Sequence, residues 1–232
     1  GLLPAKAWIN PILAVVYVGG SAIDLSSWED KVPAILFAWY AGMEGGNALA
    51  NILYGEANPS GKLPFSIAQK QEDYPVFQPF ATKVKYDYYH GYTLFEKQNK
   101  ATAYSFGFGL SYSDFSYANL QMERTKVSKD STLSVSVEVT NTSDVAGKEV
   151  VQLYVGFSNS QVDRPVKLLR DFKKVELNPQ ESKVVKLEVK IEDLAWYNPD
   201  IEKWVVDAME YELYVGGSSK ESDLLKSSFI VD

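Results

Sequence analysis

The sequence contains no cysteine and a single histidine, His90. Disulfides and thiolate metal sites are excluded, and an oxidising compartment is neither required nor forbidden. One imidazole without thiolates is a poor start for a zinc centre, so no metal or other cofactor is expected. Positive charge is also scarce. Against 30 Asp and Glu stand 23 Lys and Arg, for a formal net charge of -7. Nucleic acid is not an expected partner, because sequence-independent binding needs a basic surface. Long apolar runs are missing as well. The longest, Ile12–Val18, falls far short of the roughly 20 residues of a membrane-spanning helix, so no membrane partner is expected. Lys6 precedes this run but no small-residue cleavage site follows, so it does not read as a signal peptide. Any targeting signal is expected upstream of Gly1.

What is present suffices for a folded core. The 232 residues are 46% hydrophobic and 13% aromatic, which argues against global disorder and allows one or two domains. Two grammars share the chain. Residues 1–70 read as α/β. Ile12–Val18, ending at Gly19-Gly20, and Ala34–Trp39, ending at Gly42, are continuous apolar runs suited to parallel strands buried on both faces. Between 44 and 54 the apolar residues Ala48, Leu49, Ile52 and Leu53 share one helical face, and Gly55 is a stop. A weaker helical candidate covers 2–9. Asn58-Pro59-Ser60-Gly61 is a turn cluster, and Leu63–Ile67 suits a short edge strand that tolerates Pro64.

Residues 71–112 show no period and read as a long ordered linker or loop rich in Tyr, Phe, Pro and Gly. Residues 113–232 alternate apolar and polar with period 2. Leu133, Val135, Val137 and Val139 oppose Ser134, Ser136 and Glu138. The runs Val150–Val155, Val184–Val189 and Tyr211–Val215 continue the theme. Turn signals separate them, which suggests an immunoglobulin-like or fibronectin type III-like all-β sandwich. The expected fold is thus a partial α/β sandwich followed by a β-sandwich. A strand buried on both faces needs helices on both faces, and residues 1–70 offer too few. Either another segment covers Ile12–Val18 or an apolar surface is exposed.

Candidate site residues divide between function and packing. Asp24, Glu29 and Asp30 follow the first strand, where ligands of open α/β sheets bind; a solvated turn or N-cap is the plainer role. Trp28, Trp39 and Tyr40 suit stacking on a sugar, while Trp39 also suits the core. The cluster Tyr86, Tyr88, Tyr89 and Tyr92 reads equally as a sugar contact or as packing over a domain seam. A catalytic His90 would need a nucleophile and an orienting partner, and Ser21 sits in no nucleophile elbow. Gly42, Gly45 and Gly46 precede a helix without a full dinucleotide fingerprint. Asn141-Thr142-Ser143 is a glycosylation sequon that also suits a hairpin turn.

Four segments carry a resemblance. Ala38–Ala50 together with Leu53–Pro64 resembles the strand–helix–turn signature of glycoside hydrolase family 3. Phe106-Gly107-Phe108-Gly109-Leu110-Ser111-Tyr112 resembles that family's linker. Ala146–Val155 and Arg164–Phe172 resemble its fibronectin type III-like domain. The resemblance implies the C-terminal portion of a β-glucosidase-like enzyme that retains configuration. In that organisation an upstream (β/α)8 barrel carries the nucleophile, and the first half of the α/β domain carries the acid/base. Both carboxylates are then missing here, and retaining hydrolysis needs two carboxyl groups about 5 Å apart. The implied partners are those upstream parts, in the same parent chain or separate, and a β-linked oligosaccharide. The implied substrate contacts are Asp24, Trp28, Tyr88, Tyr89 and Tyr92, and no catalytic residue is assigned. A periplasmic or secreted location is implied by the resemblance alone. Three positions depart from the family pattern: Thr93 stands where Arg is frequent after Gly-Tyr, Gln180 where Gly is usual, and Ala208-Met209 where Pro-Gly is common. Two other readings are a stand-alone carbohydrate-binding or interaction module, and self-association through the incomplete sheet.

Overall fold

The computed structural model describes residues 13–76 and 78–232; Ile12 and the helical candidate at 2–9 lie outside them. Strand β1 (Ala14–Tyr17) pairs in parallel with β2 (Ala34–Phe37), Ala14 opposite Ala34 and Tyr17 opposite Phe37. Helix α1 (Gly45–Leu53) follows, within a residue of its predicted bounds. It ends where Tyr54 and Gly55 close the last turn onto Ala50 and Ile52, and Gly55 takes φ +79, a conformation glycine adopts without Cβ strain.

The predicted edge strand Leu63–Ile67 is shorter than the sequence suggests. Only β3 (Ile67–Ala68) forms a ladder. Leu63 instead exchanges bonds with the linker: its amide donates to Phe108 and its carbonyl accepts from Gly107, both at 2.8 Å. Pro64 has no amide to extend that pairing.

Residues 71–112 hold more regular structure than their missing period predicts. A 3-10 turn spans Gln71–Asp73, helix α2 covers Tyr92–Lys97 and strand β4 covers Thr102–Tyr104. These elements are too short to show a period, and their order comes from long-range partners. Strand β4 pairs antiparallel with β3.

The sandwich strands are β5 (Phe115–Met122), β6 (Lys126–Val127), β7 (Thr132–Asn141), β8 (Gly147–Gly156), β9 (Lys167–Leu177), β10 (Ser182–Lys190), β11 (Trp196–Asn198), β12 (Lys203–Val205), β13 (Glu210–Gly216) and β14 (Leu224–Val231). One sheet runs β10-β7-β5 and the other β6-β14-β13-β8-β9; β11 and β12 form a separate hairpin. The alternation fixes which side chains turn inward. Leu133, Val135, Val137 and Val139 are fully buried and meet Val189, Leu187, Val185 and Lys183 across β10. From the facing sheet Val151, Leu153, Val155, Leu213 and Val215 complete the core. Tyr211 and Phe229 stack within it at 5.5 Å. Burying such a side chain stabilises by about 1.5–3 kcal/mol, so this core dominates the chain's stability.

The five-stranded sheet is covered on both faces. Its second face carries Tyr154, Tyr214 and Leu224 against Tyr92, Phe106 and Leu169. This explains why Val150–Val155 is apolar at nearly every position rather than alternating.

Asn141, first residue of the sequon, is fully buried at the end of β7. Its amide nitrogen donates to the carbonyls of Val145, Leu177 and Asn178, and its Oδ1 accepts from the Ser143 amide. The nitrogen a glycan would need is spent inside the fold, and the turn reading holds. Gln180 takes φ +59, which gives a physical reason for glycine being usual there; its amide donates to Thr142 O and Asp144 Oδ1.

Candidate functional site

The C-terminal ends of β1 and β2 lie against each other. A Cβ on Gly19 would come within 2.3 Å of the Tyr17 hydroxyl, and one on Gly20 within 2.7 Å of the Tyr40 ring. Trp39 leaves β2 with φ +56, an uncommon conformation for a bulky residue. Ring contacts with Phe37 at 4.4 Å and Phe65 at 5.5 Å hold it there. Trp39 therefore packs, whereas Tyr40 is 79% exposed.

Asp24 opens the turn beyond β1. Its Oδ1 accepts from the Ser26 hydroxyl at 2.6 Å and the Ser26 amide at 2.9 Å. These bonds hold its carboxyl below the usual range, so it serves as a charged acceptor rather than a proton donor. Leu25 anchors the turn in the interior. Its carbonyl accepts from Trp28 and Glu29 and starts the 3-10 turn Glu29–Lys31. Trp28 is half-buried.

The tyrosines are divided by the linker. Tyr88 is exposed and meets Tyr89 edge-on at 5.1 Å. Tyr89 lies under Lys97, which forms an ion pair with Asp163. Burial, then the Asp163 carboxylate, pushes the Tyr89 hydroxyl up. Tyr92 sits in the seam with the sandwich: it stacks on Phe106 at 4.8 Å and meets Tyr154 edge-on. Its hydroxyl accepts the Leu169 amide at 3.1 Å. None of the described hydrogen bonds or ring contacts joins Asp24 or Trp28 to these tyrosines. His90 is exposed, and its Nδ1 meets only the Tyr88 carbonyl at 3.2 Å. Thr93 is buried, and its hydroxyl donates to the His90 carbonyl at 2.8 Å.

A second constellation escaped the sequence reading. Asn58 of the turn cluster uses both ends of its amide. Its nitrogen donates to Ser113 Oγ and Ala146 O; its oxygen accepts from Ser111 Oγ and the Tyr112 amide. Tyr112 in turn donates to the Ile52 carbonyl of α1. Lys62 reaches Glu149 of β8 at 3.0 Å, with both side chains largely buried, and also donates to Gly109 O. Tyr117 donates to the same Glu149 at 2.9 Å. Burial and the Glu149 charge push that hydroxyl far up, so it stays a donor. Gln152 donates to Gly107 O and Gly217 O and accepts from Tyr154. A hollow of about 390 Å³ lies over Lys62, Tyr117 and Glu149. The available signal was a charged and an amide residue, Glu149 and Gln152, inside the apolar run of β8: such groups need buried partners.

Among the described residues, no hydrogen bond joins Asp24, Glu44 or Glu96 to another carboxylate. Asp24 is held ionised by Ser26. Glu44 accepts from Asn47. Burial pushes Glu96 up, but it lies in the seam, ion-paired to Lys167. What the arrangement does is fix an α/β segment, with its strand ends and tyrosine loop, onto a rigid sandwich.

An α/β segment clamped in this way to a β-sandwich matches known family models. Residues 2–112 match the glycosyl hydrolase family 3 C-terminal domain, and residues 149–219 match the fibronectin type III-like domain. A β-glucosidase of Bacteroides ovatus is 37% identical over 95% of this chain, and one of Kluyveromyces marxianus is 41% identical over 95%. The chain spans 30% and 26% of those proteins' lengths. Among solved structures, the Kluyveromyces marxianus β-glucosidase in complex with glucose aligns with a TM-score of 0.90 at 40% identity. That alignment covers 100% of this chain and 28% of the other. The β-D-glucoside glucohydrolase of Trichoderma reesei aligns at 0.89 with 30% identity, covering 100% and 35%. The chain belongs to glycoside hydrolase family 3 and corresponds to the C-terminal portion of its members.

Proposed function

We propose that this chain is the scaffold and part of the pocket rim of a retaining glycosidase. Its substrates would be terminal non-reducing β-glycosides, of the β-glucoside or β-xyloside kind. The nucleophile and the acid/base would come from an upstream (β/α)8 barrel and the first half of the α/β domain, in the same parent chain or as a separate one. Asp24, Trp28, Tyr88 and Tyr89 are the proposed rim contacts; Tyr92 would shape the rim from the seam. A periplasmic or secreted location belongs to the same proposal.

One observation carries the reading. Strands β1 and β2 are apolar throughout, yet none of their residues is buried, and neither is any residue of α1. Six bulky side chains, Val15, Val16, Tyr17, Ile35, Leu36 and Phe37, remain part-exposed in a parallel pair. Parallel sheets are stable with both faces covered. Relatives three to four times longer have chain to spare for this cover.

Hydrogen exchange tests the cover directly. Adding a separately expressed upstream portion is expected to slow exchange of the β1 and β2 amides by at least about 100-fold, while β7 and β8 change little. Unchanged exchange at β1 and β2 would refute the docking. If the apolar pair instead joins a second copy, the protection will rise with concentration of the chain alone.

A further inference from the structure

The hairpin β11–β12 presents a feature that core packing does not use. Tyr197 and Trp204 are directly opposed across it, edge to face at 5.6 Å. Trp204 is 71% exposed. Beside it a shallow, open depression is lined by Glu192, Asp193, Ala195 and Trp204. The local sequence builds this arrangement rigidly. In the 3-10 turn Ile191–Leu194, both end residues are fully buried and turn Glu192 and Asp193 outward. Arg164 donates to the Leu194 carbonyl at 2.7 Å and stacks over Phe157. The Trp196 indole donates to both carboxylate oxygens of Asp207, which fixes β11. Asn198 accepts from the Asp200 amide and closes the tip.

We propose that this depression is a carbohydrate-binding site that takes a β-linked pyranose unit. Trp204 would be the stacking platform, Tyr197 the residue that positions its ring, and Glu192 and Asp193 the hydroxyl acceptors. The chemistry matches on two counts. A pyranose with equatorial substituents is amphipathic, with C–H bonds on its faces and hydroxyls around its edge. An indole beside Ala195 meets the face, and carboxyl oxygens at the rim accept from edge hydroxyls. Cross-strand aromatic pairing alone accounts for the contact with Tyr197. It does not account for the open concavity on the Trp204 side or for the two carboxylates on its rim. The choice of a sugar over a cation rests on the glycosidase reading, because an aromatic–carboxylate site also attracts cations.

Titration of the full chain with cellotetraose and laminaritetraose, followed by calorimetry, tests this. The expected result is saturable binding of at least one of them. Trp204→Ala should weaken it at least about tenfold, since a central aromatic anchor carries most of a small interface. Glu192→Gln with Asp193→Asn should weaken it severalfold, and Trp204→Phe should retain part of it. A melting curve for each variant separates lost binding from lost folding. Absence of saturable binding, or binding indifferent to Trp204→Ala, would overturn the proposal. So would a preference for choline over both oligosaccharides. The titration needs no hydrolysis. Binding without any hydrolysis on reconstitution would therefore refute the glycosidase reading alone, and hydrolysis without binding would refute this site alone.

Discussion

Glu149→Ala is expected to destabilise the chain by about 3–5 kcal/mol, because it leaves the ammonium of Lys62 buried without its counter-charge. Both side chains are mostly out of water, at 15% and 6% exposure, so solvent replaces the lost partner only in part. Tyr117 loses its acceptor in the same change. Glu149→Gln keeps an acceptor for Tyr117 and should cost less, though it still strands the Lys62 charge. Lys62→Met combined with Glu149→Leu should recover most of the loss, since replacing a buried ion pair by apolar groups is often neutral. Urea unfolding of the four proteins measures this. If Glu149→Ala costs less than about 1 kcal/mol, the pair behaves as a surface contact and the clamp is misassigned.

Gly107→Ala is the second large effect, about 2–6 kcal/mol. Gly107 has φ +80, where a Cβ costs about 1–3 kcal/mol. That Cβ would also sit 2.1 Å from Gln152 Oε1. Gln152 cannot swing aside freely, because it is buried and holds Gly107, Gly217 and Tyr154. Overpacking of this kind costs about a further 1–3 kcal/mol. Gly42→Ala is the control: no atom lies within 4 Å of its added Cβ, and its effect should be small. Equal effects of the two changes on the urea midpoint would contradict the account of the linker glycine.

The sandwich was legible because one face of β7 and β10 meets the core and the other meets water, which imprints period 2 on Leu133–Val139 and Val184–Val189. Helix α1 was legible from its stripe of apolar residues. The parallel pair was legible from unbroken apolar runs, and so was its lack of cover. The linker was not. Much of its order comes from partners far away in sequence, such as Gly107 with Gln152, 45 residues apart, and Tyr92 with Leu169, 77 residues apart, and local pattern carries no trace of them. Trp39 shows the same limit. Its side chain reads as core, but its left-handed backbone follows from Phe37 and Phe65. At the candidate site, sequence supplied the residue types and left each role open. The structure gives Asp24 a turn-forming role and seats Tyr92 in the seam, while Tyr88 stays open to solvent.

We propose that this chain shapes a glycosidase pocket without supplying its chemistry. Hydrolysis of a panel of nitrophenyl β-glycosides, by the chain alone and after mixing with the separately expressed upstream portion, tests it most directly. The expected result is no turnover alone and turnover on mixing. Turnover by the chain alone would contradict the account and place a catalytic carboxylate among Asp24, Glu29, Asp30 and Glu44.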